Sequence, residues 1–192
     1  MTLPIGVLAL QGDFREHTAA VGRLGLDSLS VRTPQDLAAV RALIIPGGES
    51  TTIGKLARIF DLFEPIQKAI RGGLPVFGTC AGLIMIADHI EGGIEGQETF
   101  GGLGVTVARN AFGNQLDSFE ADLDFSGIEH QIHAAFIRAP IILDSGTAEV
   151  RSKLADGRIV AVSEGNLLGI SFHPEVTGDD SVHRLFVEEF VK

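Results

Sequence analysis

The stretch Gly78-Thr79-Cys80-Ala81-Gly82 follows the apolar run Pro75–Phe77 and opens a run with helical spacing from Ala81 to His89. It is a cysteine version of G-x-S-x-G, the strand-to-helix turn known as the nucleophile elbow. Glycine is needed two residues before and two residues after the nucleophile, because larger side chains would collide there. The stretch therefore predicts a strand, a tight turn and a helix, with Cys80 held in a strained conformation at the turn.

Several properties of this turn favour a reactive thiolate at Cys80. The amino end of the following helix lies behind the sulfur, and its dipole and free amides stabilise negative charge. The amide of Ala81 also points to where an oxyanion would form. The alternative is a free buried cysteine that acts as a small hydrophobic residue. The two glycines after an apolar strand favour the nucleophile.

Strands and helices alternate through the first half of the chain. Short apolar runs predict strands at Ile5–Leu10, Ser28–Val31, Ala42–Ile45 and Pro75–Phe77. Helical spacing, and a helix start at Thr33-Pro34, predict helices at Arg15–Leu24, from Pro34, from Thr51 and at Leu62–Ile70. This alternation indicates a three-layer α/β fold, with a mostly parallel central sheet and helices on both faces.

The second half of the chain is richer in predicted strands. These lie at Gly104–Val107, Ala134–Ile137, Ile159–Val162 and Leu168–Ser171. Helical spacing predicts a closing helix within Asp180–Val191, and the glycine-rich stretch Glu91–Gly102 predicts an exposed loop. Because no linker is visible, we expect residues 1–192 to form a single domain.

Charge and hydropathy exclude two classes of partner. The chain has 25 acidic and 15 basic residues, a net charge of −10 and no run of Lys and Arg, so we expect no nucleic acid. No apolar stretch reaches the roughly 18 residues that span a bilayer, so we expect no membrane. The opening MTLPIGVLAL lacks the basic start of a signal peptide. A single cysteine cannot form an intrachain disulfide, which favours a cytoplasmic location.

A thiolate nucleophile needs a proton carrier, and His173 is the leading candidate among the six histidines. It follows a predicted strand and lies in His173-Pro174-Glu175. Pro174 biases His173 toward an extended backbone, in which residues two apart project to the same side. The carboxylate of Glu175 can then hold the imidazole in one tautomer, as in a catalytic triad. The alternative is a strand cap at His173 and a solvated charge at Glu175.

Three other histidines are weaker candidates for the proton carrier. His89 and His183 lie on predicted helices, and we expect both at the surface. His17 lies near the end of the first strand, where a role in the site stays open.

Motifs for phosphate and metal binding are incomplete in this sequence. Gly48 to Lys55 is one residue too long for a phosphate loop, and Leu56 stands where Ser or Thr would hold magnesium. The His-x-Glu of zinc deaminases needs a C-x-x-C, which one cysteine cannot supply, and H-E-x-x-H does not occur. We therefore expect no metal and no cofactor.

Cys80 comes before His173-Pro174-Glu175 in the chain, and this order resembles that of the catalytic motifs in the class I glutamine amidotransferases. Within them the chain is similar to the glutaminase subunits of pyridoxal 5′-phosphate synthases. The similar stretches span nearly the whole chain in the expected order, at Gly6–Gly12, Pro46–Thr52, Phe77–Gly82, Asp117–Glu120, Phe136–Pro140 and Ser171–Glu175. The loop Glu91–Gly102 is the main departure, and we expect it not to touch these motifs.

The resemblance implies a flavodoxin-like fold and a role for each site residue. Cys80 would attack the amide of L-glutamine and form a glutamyl thioester. His173 would protonate the leaving ammonia and then activate water, while Glu175 would orient His173. The oxyanion hole would combine the amide of Ala81 with one from Gly47 or Gly48. Residues implied in glutamine binding are Gly48, Glu49, Ser50, Arg109, Ile137 and Arg138, where an Arg fork suits the α-carboxylate.

The resemblance also implies a partner, the synthase subunit of pyridoxal 5′-phosphate synthase in a large hetero-oligomer. Gln11, at the end of the first strand, is a candidate for sensing that partner. Two alternatives stay open. Another hydrolase with an elbow cysteine, such as a protease, would usually lack the Gly-Gly-Glu-Ser-Thr-Thr stretch. A binding subunit without activity would not need an intact Cys80, His173 and Glu175.

Overall fold

The structure is a computed structural model that describes residues 2–109 and 118–191. The strands are β1 Ile5–Leu8, β2 Ser28–Val31, β3 Ala42–Ile45, β4 Val76–Thr79, β5 Ala87–Glu91, β6 Leu103–Ala108, β7 Ser118–Leu123, β8 Ile132–Ile137, β9 Ile141–Asp144, β10 Glu149–Lys153, β11 Ile159–Glu164 and β12 Leu167–Ile170. The helices are α1 Phe14–Arg23, α2 Pro34–Ala38, α3 Ser50–Ile59, α4 Phe63–Arg71, α5 Ala81–Ile86, α6 Pro174–Thr177 and α7 Ser181–Phe190. None of the helices in these residues is long and apolar enough to cross a membrane.

One large sheet organises the described residues. Strands β2, β1, β3, β4 and β12 lie side by side in that order, and each neighbouring pair is parallel. The sheet continues antiparallel through β11, β9 and β6, while β10 also pairs with β11. Strand β5 closes the far edge parallel to β6, and β7 and β8 form a separate antiparallel pair. The prediction of a mostly parallel central sheet is confirmed.

Helices cover both faces of this sheet, as predicted. Successive residues of β3 point to opposite faces, so Leu43 and Ile44 belong to different hydrophobic clusters. Leu43 packs in the cluster that α2, α3, α4 and α5 share, which includes Ile66. Ile44 packs in the cluster that contains Val21 of α1 and Phe186 of α7. Because both faces of β3 are covered, its four residues form one continuous apolar run.

The helix predicted from Ala81 to His89 is wrong in its last three residues, after Ile86. The helix ends at Ile86, and Ala87–Glu91 forms β5, which pairs with β6. Three of the five residues in β5 are polar, so no apolar pattern marks it as a strand, and its pairing with β6 decides its structure. His89 is exposed, as expected, but it lies on a strand.

The strands β7, β9 and β10 have no predicted counterpart. The apolar pattern that marks the central strands is weak in β7 and β10, where at least half of the residues are polar, whereas β9 begins with the apolar run Ile141–Leu143 and was missed. By contrast, the helix start at Thr33 is confirmed in detail, since Thr33 and Asp36 form a reciprocal capping box. Asp117, quoted above among the similar stretches, lies outside the described residues.

Candidate active site

Cys80 lies at the turn between β4 and α5, at the carboxyl end of a parallel strand. Its backbone is in the left-handed region, with φ 49° and ψ −104°, which is strained for a residue with a side chain. The side chain is nearly buried. The predicted strand, tight turn and helix are confirmed, and so is the strained conformation of Cys80.

The glycines on either side of Cys80 are required by close backbone packing. A Cβ atom on Gly78 would lie 2.6 Å from the backbone of Gly82. A Cβ atom on Gly82 would overlap the carbonyl oxygen of Ile45 at the end of β3. The collision predicted from the sequence is confirmed, and this packing fixes Cys80 relative to β3.

His173 and Glu175 form a buried hydrogen-bonded pair. His173 follows β12, and its backbone amide donates to the carbonyl oxygen of Ala135 at 2.9 Å. Its Nδ1 lies 2.7 Å from Oε1 of Glu175, so the predicted contact is confirmed. The extended backbone expected beyond His173 is wrong, because Pro174 and Glu175 already belong to α6. Pro174 occupies the first turn of that helix, where its missing amide has no cost.

The neighbours of His173 favour its protonated form. Burial alone would lower the pKa of His173, but hydrogen bonding and charge attraction from Cys80 and Glu175 raise it to about 10. A value raised from 6.5 means that this pairing stabilises the fold fully below about pH 6.5. The stabilisation is lost as the pH rises through about 10. At neutral pH the imidazole therefore carries the proton that a leaving group would need.

The glycine pair after β3 lies between His173 and the loop that follows β1. A Cβ atom on Gly47 would overlap the imidazole of His173, and the carbonyl of Gly47 accepts a long hydrogen bond of 3.4 Å from the amide of Asp13. Gly48 has a φ of 147°, which favours glycine. The peptide between the two glycines is therefore next to the candidate base, and its role in an oxyanion hole with Ala81 stays a prediction.

Gln11 contacts this same segment. Its Oε1 accepts a hydrogen bond of 2.8 Å from the amide of Glu49, and the side chain packs directly against Gly48. A movement of Gln11 would therefore change the support of the Gly47–Gly48 peptide. This placement is consistent with the predicted sensing role, which stays a prediction.

A cavity of about 450 Å³ opens beside Cys80, a size that suits a small ligand. His173, Ala81 and Gln11 also line it. The structure brings to its wall all six residues that the resemblance implies for glutamine binding, namely Gly48, Glu49, Ser50, Arg109, Ile137 and Arg138.

Glu49 provides a fixed negative charge in this cavity. Its carboxylate caps α3 and accepts hydrogen bonds from the amides of Thr51 and Thr52, at 3.2 and 2.7 Å. Although burial alone would raise the pKa of Glu49, these hydrogen bonds and those from the two hydroxyl groups lower it to about 2. Arg109 also donates to Glu49, at 3.0 Å. Because Glu49 already fills the amino end of α3, the amides of Thr51 and Thr52 are not free to bind a phosphate.

Gln97 is a site residue that sequence reasoning missed. Its side-chain amide donates to the hydroxyl of Ser50 at 3.0 Å and accepts from Arg109 at 2.6 Å. The expectation that the loop Glu91–Gly102 does not touch the motifs is therefore wrong. A loop without a matching motif offers no sequence signal for such a contact, which only the folded chain brings together.

Arg138 has the geometry of a ligand-binding residue. It follows β8 with a φ of 45°, a strained value for arginine, and its side chain is exposed at the cavity. Among residues 2–109 and 118–191, no acidic side chain forms an ion pair with it, whereas Arg109 is already paired with Glu49. Arg138 is therefore the better candidate for the α-carboxylate of glutamine.

Replacing Arg138 with alanine should weaken glutamine binding about 10- to 100-fold, because a charged hydrogen bond contributes about 1.5–3 kcal/mol. Isothermal titration calorimetry measures the affinity directly. The control is Arg71→Ala, which removes an exposed charge at the end of α4. Cys80 should stay reactive toward iodoacetamide in both variants. Unchanged affinity in Arg138→Ala would remove Arg138 from the site.

Two more histidines lie behind Glu175. His17 on α1 and His183 on α7 are both fully buried, so the expectation that His183 lies at the surface is wrong. Helix α7 turns Val182 and Phe186 toward the sheet, and His183 is buried along with them. Nε2 of His17 lies 3.5 Å from Oε2 of Glu175, which places His17 at the site.

One group of side chains could supply ligands to a metal ion. It consists of Asp13, His173 and Glu175, whose ligand atoms lie within 4.8 Å of one another. The Nδ1 atom of His173 that would bind a metal is the atom that bonds to Glu175. A metal there would therefore break the pair that orients the candidate base.

The fold and the site define a glutamine amidotransferase. A solved glutamine amidotransferase superposes with a TM-score of 0.90 at 48% identity, over 96% of this chain and 97% of that one. PurLQS from Thermotoga maritima shares the fold, with a TM-score of 0.70 at 18% identity over the full length of both chains. Residues 7–192 match the SNO glutamine amidotransferase family, and the chain belongs to this family.

Two named relatives are similar over nearly their whole length. The pyridoxal 5′-phosphate synthase subunit PdxT of Nocardioides sp. is 56% identical over 189 residues, covering 96% of this chain and 94% of that protein. The subunit of the same name from Mycobacterium ulcerans is 50% identical over 192 residues, covering 98% and 97%.

Proposed function

We propose that this chain is a glutaminase that hydrolyses L-glutamine to L-glutamate and ammonia and delivers the ammonia to a pyridoxal 5′-phosphate synthase subunit. Family membership and the names of the relatives support this proposal. The observation that carries it is that Cys80, in a strained turn, lines one cavity with His173, which is hydrogen-bonded to Glu175.

The reaction proceeds through two acyl transfers. The thiolate of Cys80 attacks the side-chain amide carbon of glutamine, and the carbonyl oxygen becomes an oxyanion. His173 gives its proton to the nitrogen, the C–N bond breaks, and ammonia leaves a glutamyl thioester. His173, now neutral, takes a proton from water as the water attacks the thioester. The C–S bond breaks, glutamate leaves, and Cys80 and His173 return to the charged pair.

The charges in the cavity suit a zwitterionic amino acid. Arg138 binds the α-carboxylate through its guanidinium fork, and Glu49 accepts hydrogen bonds from the α-ammonium group. Glu49 stays ionised because its pKa is lowered to about 2. Gln97 and Arg109 hold Ser50 and Glu49 in place, so the loop that contains Gln97 shapes the binding wall.

The ammonia must reach its acceptor without meeting bulk water, because ammonium is not nucleophilic. This requirement favours a synthase subunit that docks on the glutaminase in a hetero-oligomer.

We also treat residues 1–192 as one domain, since strands from both halves pair in one sheet. A cytoplasmic location suits a thiolate nucleophile, which needs a reducing compartment.

Docking of the synthase should activate the glutaminase through the Gly47–Gly48 peptide. Among the described residues, the carbonyl of Gly47 accepts one long hydrogen bond, of 3.4 Å, from the amide of Asp13, so a flip of this peptide breaks a weak bond and turns an amide toward the oxyanion. Gln11 supports the same segment and would transmit the docking.

Glutamate release measured across a titration of synthase tests this coupling. We expect a rise of about 100-fold at saturation, the effect of one oxyanion-hole donor, and a much smaller rise in Gln11→Ala. The control Gln35→Ala removes an exposed side chain of the same type on α2, which does not line the cavity. Full activity of the isolated chain, unchanged by synthase, would refute the coupling but not the glutaminase.

A further inference from the structure

A chain of buried polar contacts runs from the His173–Glu175 pair to His17 on α1 and His183 on α7. Nδ1 of His17 lies 2.8 Å from Nε2 of His183. Nε2 of His17 lies 3.1 Å from the hydroxyl of Thr79 and 3.5 Å from Oε2 of Glu175. The other carboxylate oxygen of Glu175, Oε1, bonds to Nδ1 of His173. The second oxygen, Oε2, is buried and forms no hydrogen bond among the described residues, so Nε2 of His17, at 3.5 Å, lies close to an unpaired carboxylate oxygen.

Both histidines of this chain are neutral at neutral pH. Burial, together with the neighbouring His183 and His173, lowers the pKa of His17 well below 6.5. Burial also lowers the pKa of His183 to about 4. The ring of Phe77 packs edge-on against both imidazoles and keeps their surroundings apolar. Each ring therefore has one N–H donor and one acceptor nitrogen.

The contacts select one tautomer for each ring. If His17 carried its proton on Nδ1, it would donate to His183, and the proton of His183 would sit on a buried Nδ1 that has no partner. The unprotonated Nε2 of His17 would then face a carboxylate oxygen of Glu175. With both protons on Nε2, His183 donates to His17, and the N–H of His17 donates to the hydroxyl of Thr79 and lies close to Oε2 of Glu175. This second arrangement leaves no buried N–H unpaired, so it is favoured.

We propose that His17 is a positioning residue for glutamine hydrolysis, whose neutral Nε2–H holds the second carboxylate oxygen of Glu175 while His183 fixes the tautomer. This inference rests on the proposed function. A neutral donor suits this position, because a cationic His17 would draw the charge of Glu175 away from His173. The geometry thus extends the line of contacts from Cys80 through His173 and Glu175 to His17 and His183.

Other charged groups surround this line and could also affect its pH dependence. Asp13 lies before α1, with its carboxylate 3.6 Å from Nδ1 of His173. Around His183, Arg23 and Asp180 form an ion pair of 2.7 Å, and Asp179 lies nearby. All of these groups are unchanged in the variants below, so a shift in pH dependence reports on the histidine that is replaced.

Two amide variants of His17 separate its two contacts. In His17→Gln, the side chain can accept from His183 and still donate toward Glu175. In His17→Asn, the shorter side chain can accept from His183 but cannot reach Glu175. We expect His17→Gln to keep kcat within about threefold and His17→Asn to lose about tenfold or more, the usual cost of losing an outer hydrogen-bond partner. KM for glutamine should not change in either.

The pH profile of kcat separates positioning from a merely structural role. Loss of the donor removes a contact that stabilises the Glu175 carboxylate, so the acidic limb of the kcat profile should move to higher pH in His17→Asn and not in His17→Gln. His183→Leu keeps His17 but frees its tautomer, and it should produce a smaller loss with the same direction of shift. Thermal unfolding followed by circular dichroism checks that each variant is folded.

All variants are assayed as the complex with synthase, beside the wild-type chain. Glutamate release by the wild type tests the proposed function separately. Equal kcat and equal pH profiles in His17→Gln and His17→Asn, or a native profile in His183→Leu, would overturn the positioning role and leave the glutaminase standing.

Discussion

Replacing Cys80 with alanine should abolish glutamine hydrolysis, with a loss in kcat of about 10⁴-fold or more. Cys80 is the only cysteine of the chain, and it occupies the strained turn at the cavity. Without its sulfur no thioester can form, and water alone must attack a poorly reactive amide. The measurement is glutamate release by the complex with synthase at saturating glutamine.

Two controls separate lost chemistry from lost structure in this variant. Glutamine should still bind to Cys80→Ala, because the groups expected to bind it are intact, and calorimetry measures that binding. Cys80→Ser should be nearly as inactive, since a hydroxyl group is far harder to ionise than a thiol. Substantial ammonia release by purified Cys80→Ala would refute the assignment of the nucleophile. Intrinsic fluorescence is unsuitable for following these variants, because the chain contains neither Trp nor Tyr.

Replacing His173 with asparagine should be as damaging as losing Cys80, and the double variant should be no worse than either single one. The two side chains act as one unit, so their effects are not additive. Without the imidazole, the leaving nitrogen has no proton donor and the thioester has no base. The measurement is kcat for the two single variants and the double variant, at one pH and at saturating glutamine.

Glu175→Gln should be milder than His173→Asn by about tenfold or more, because Glu175 orients the base and does not transfer the proton. It should also lower the pKa of His173 from about 10 toward 6.5, since the neutral amide removes a charge that favours imidazolium. A nuclear magnetic resonance titration of the imidazole follows that change. A Glu175→Gln variant that is harsher than His173→Asn would show that the roles are assigned wrongly.

The features that could be predicted from the sequence are those that depend on neighbouring residues. The turn at Cys80 needs only its flanking glycines, and His173 and Glu175 are near enough in sequence to touch even though α6 replaces the extended backbone predicted between them. The predicted bounds of β3 match the structure because its apolar run ends at Pro46-Gly47-Gly48, and those of β2 match a short alternation of Ser with Leu and Val. Local chemistry is sufficient in each of these cases.

The features that could not be predicted depend on contacts made by distant parts of the chain. Strand β5 exists because β6 pairs with it, whereas its own sequence, Ala-Asp-His-Ile-Glu, has no apolar run that marks a strand. Gln97 reaches Ser50 across the fold, and nothing near Gln97 in the sequence marks it as a site residue. His183 is polar, and only the packing of α7 on the sheet shows that it is buried against His17.

The most direct test of the account is to label the chain with a diazoketone analogue of L-glutamine and map the adduct by peptide mass spectrometry. The reagent resembles the substrate, so it reacts with whichever nucleophile faces the amide carbon of bound glutamine. We predict one adduct, on the sulfur of Cys80, that excess glutamine suppresses and that forms far more slowly in His173→Asn. An adduct on another residue, or an unlabelled Cys80 in protein that releases glutamate, would contradict the account.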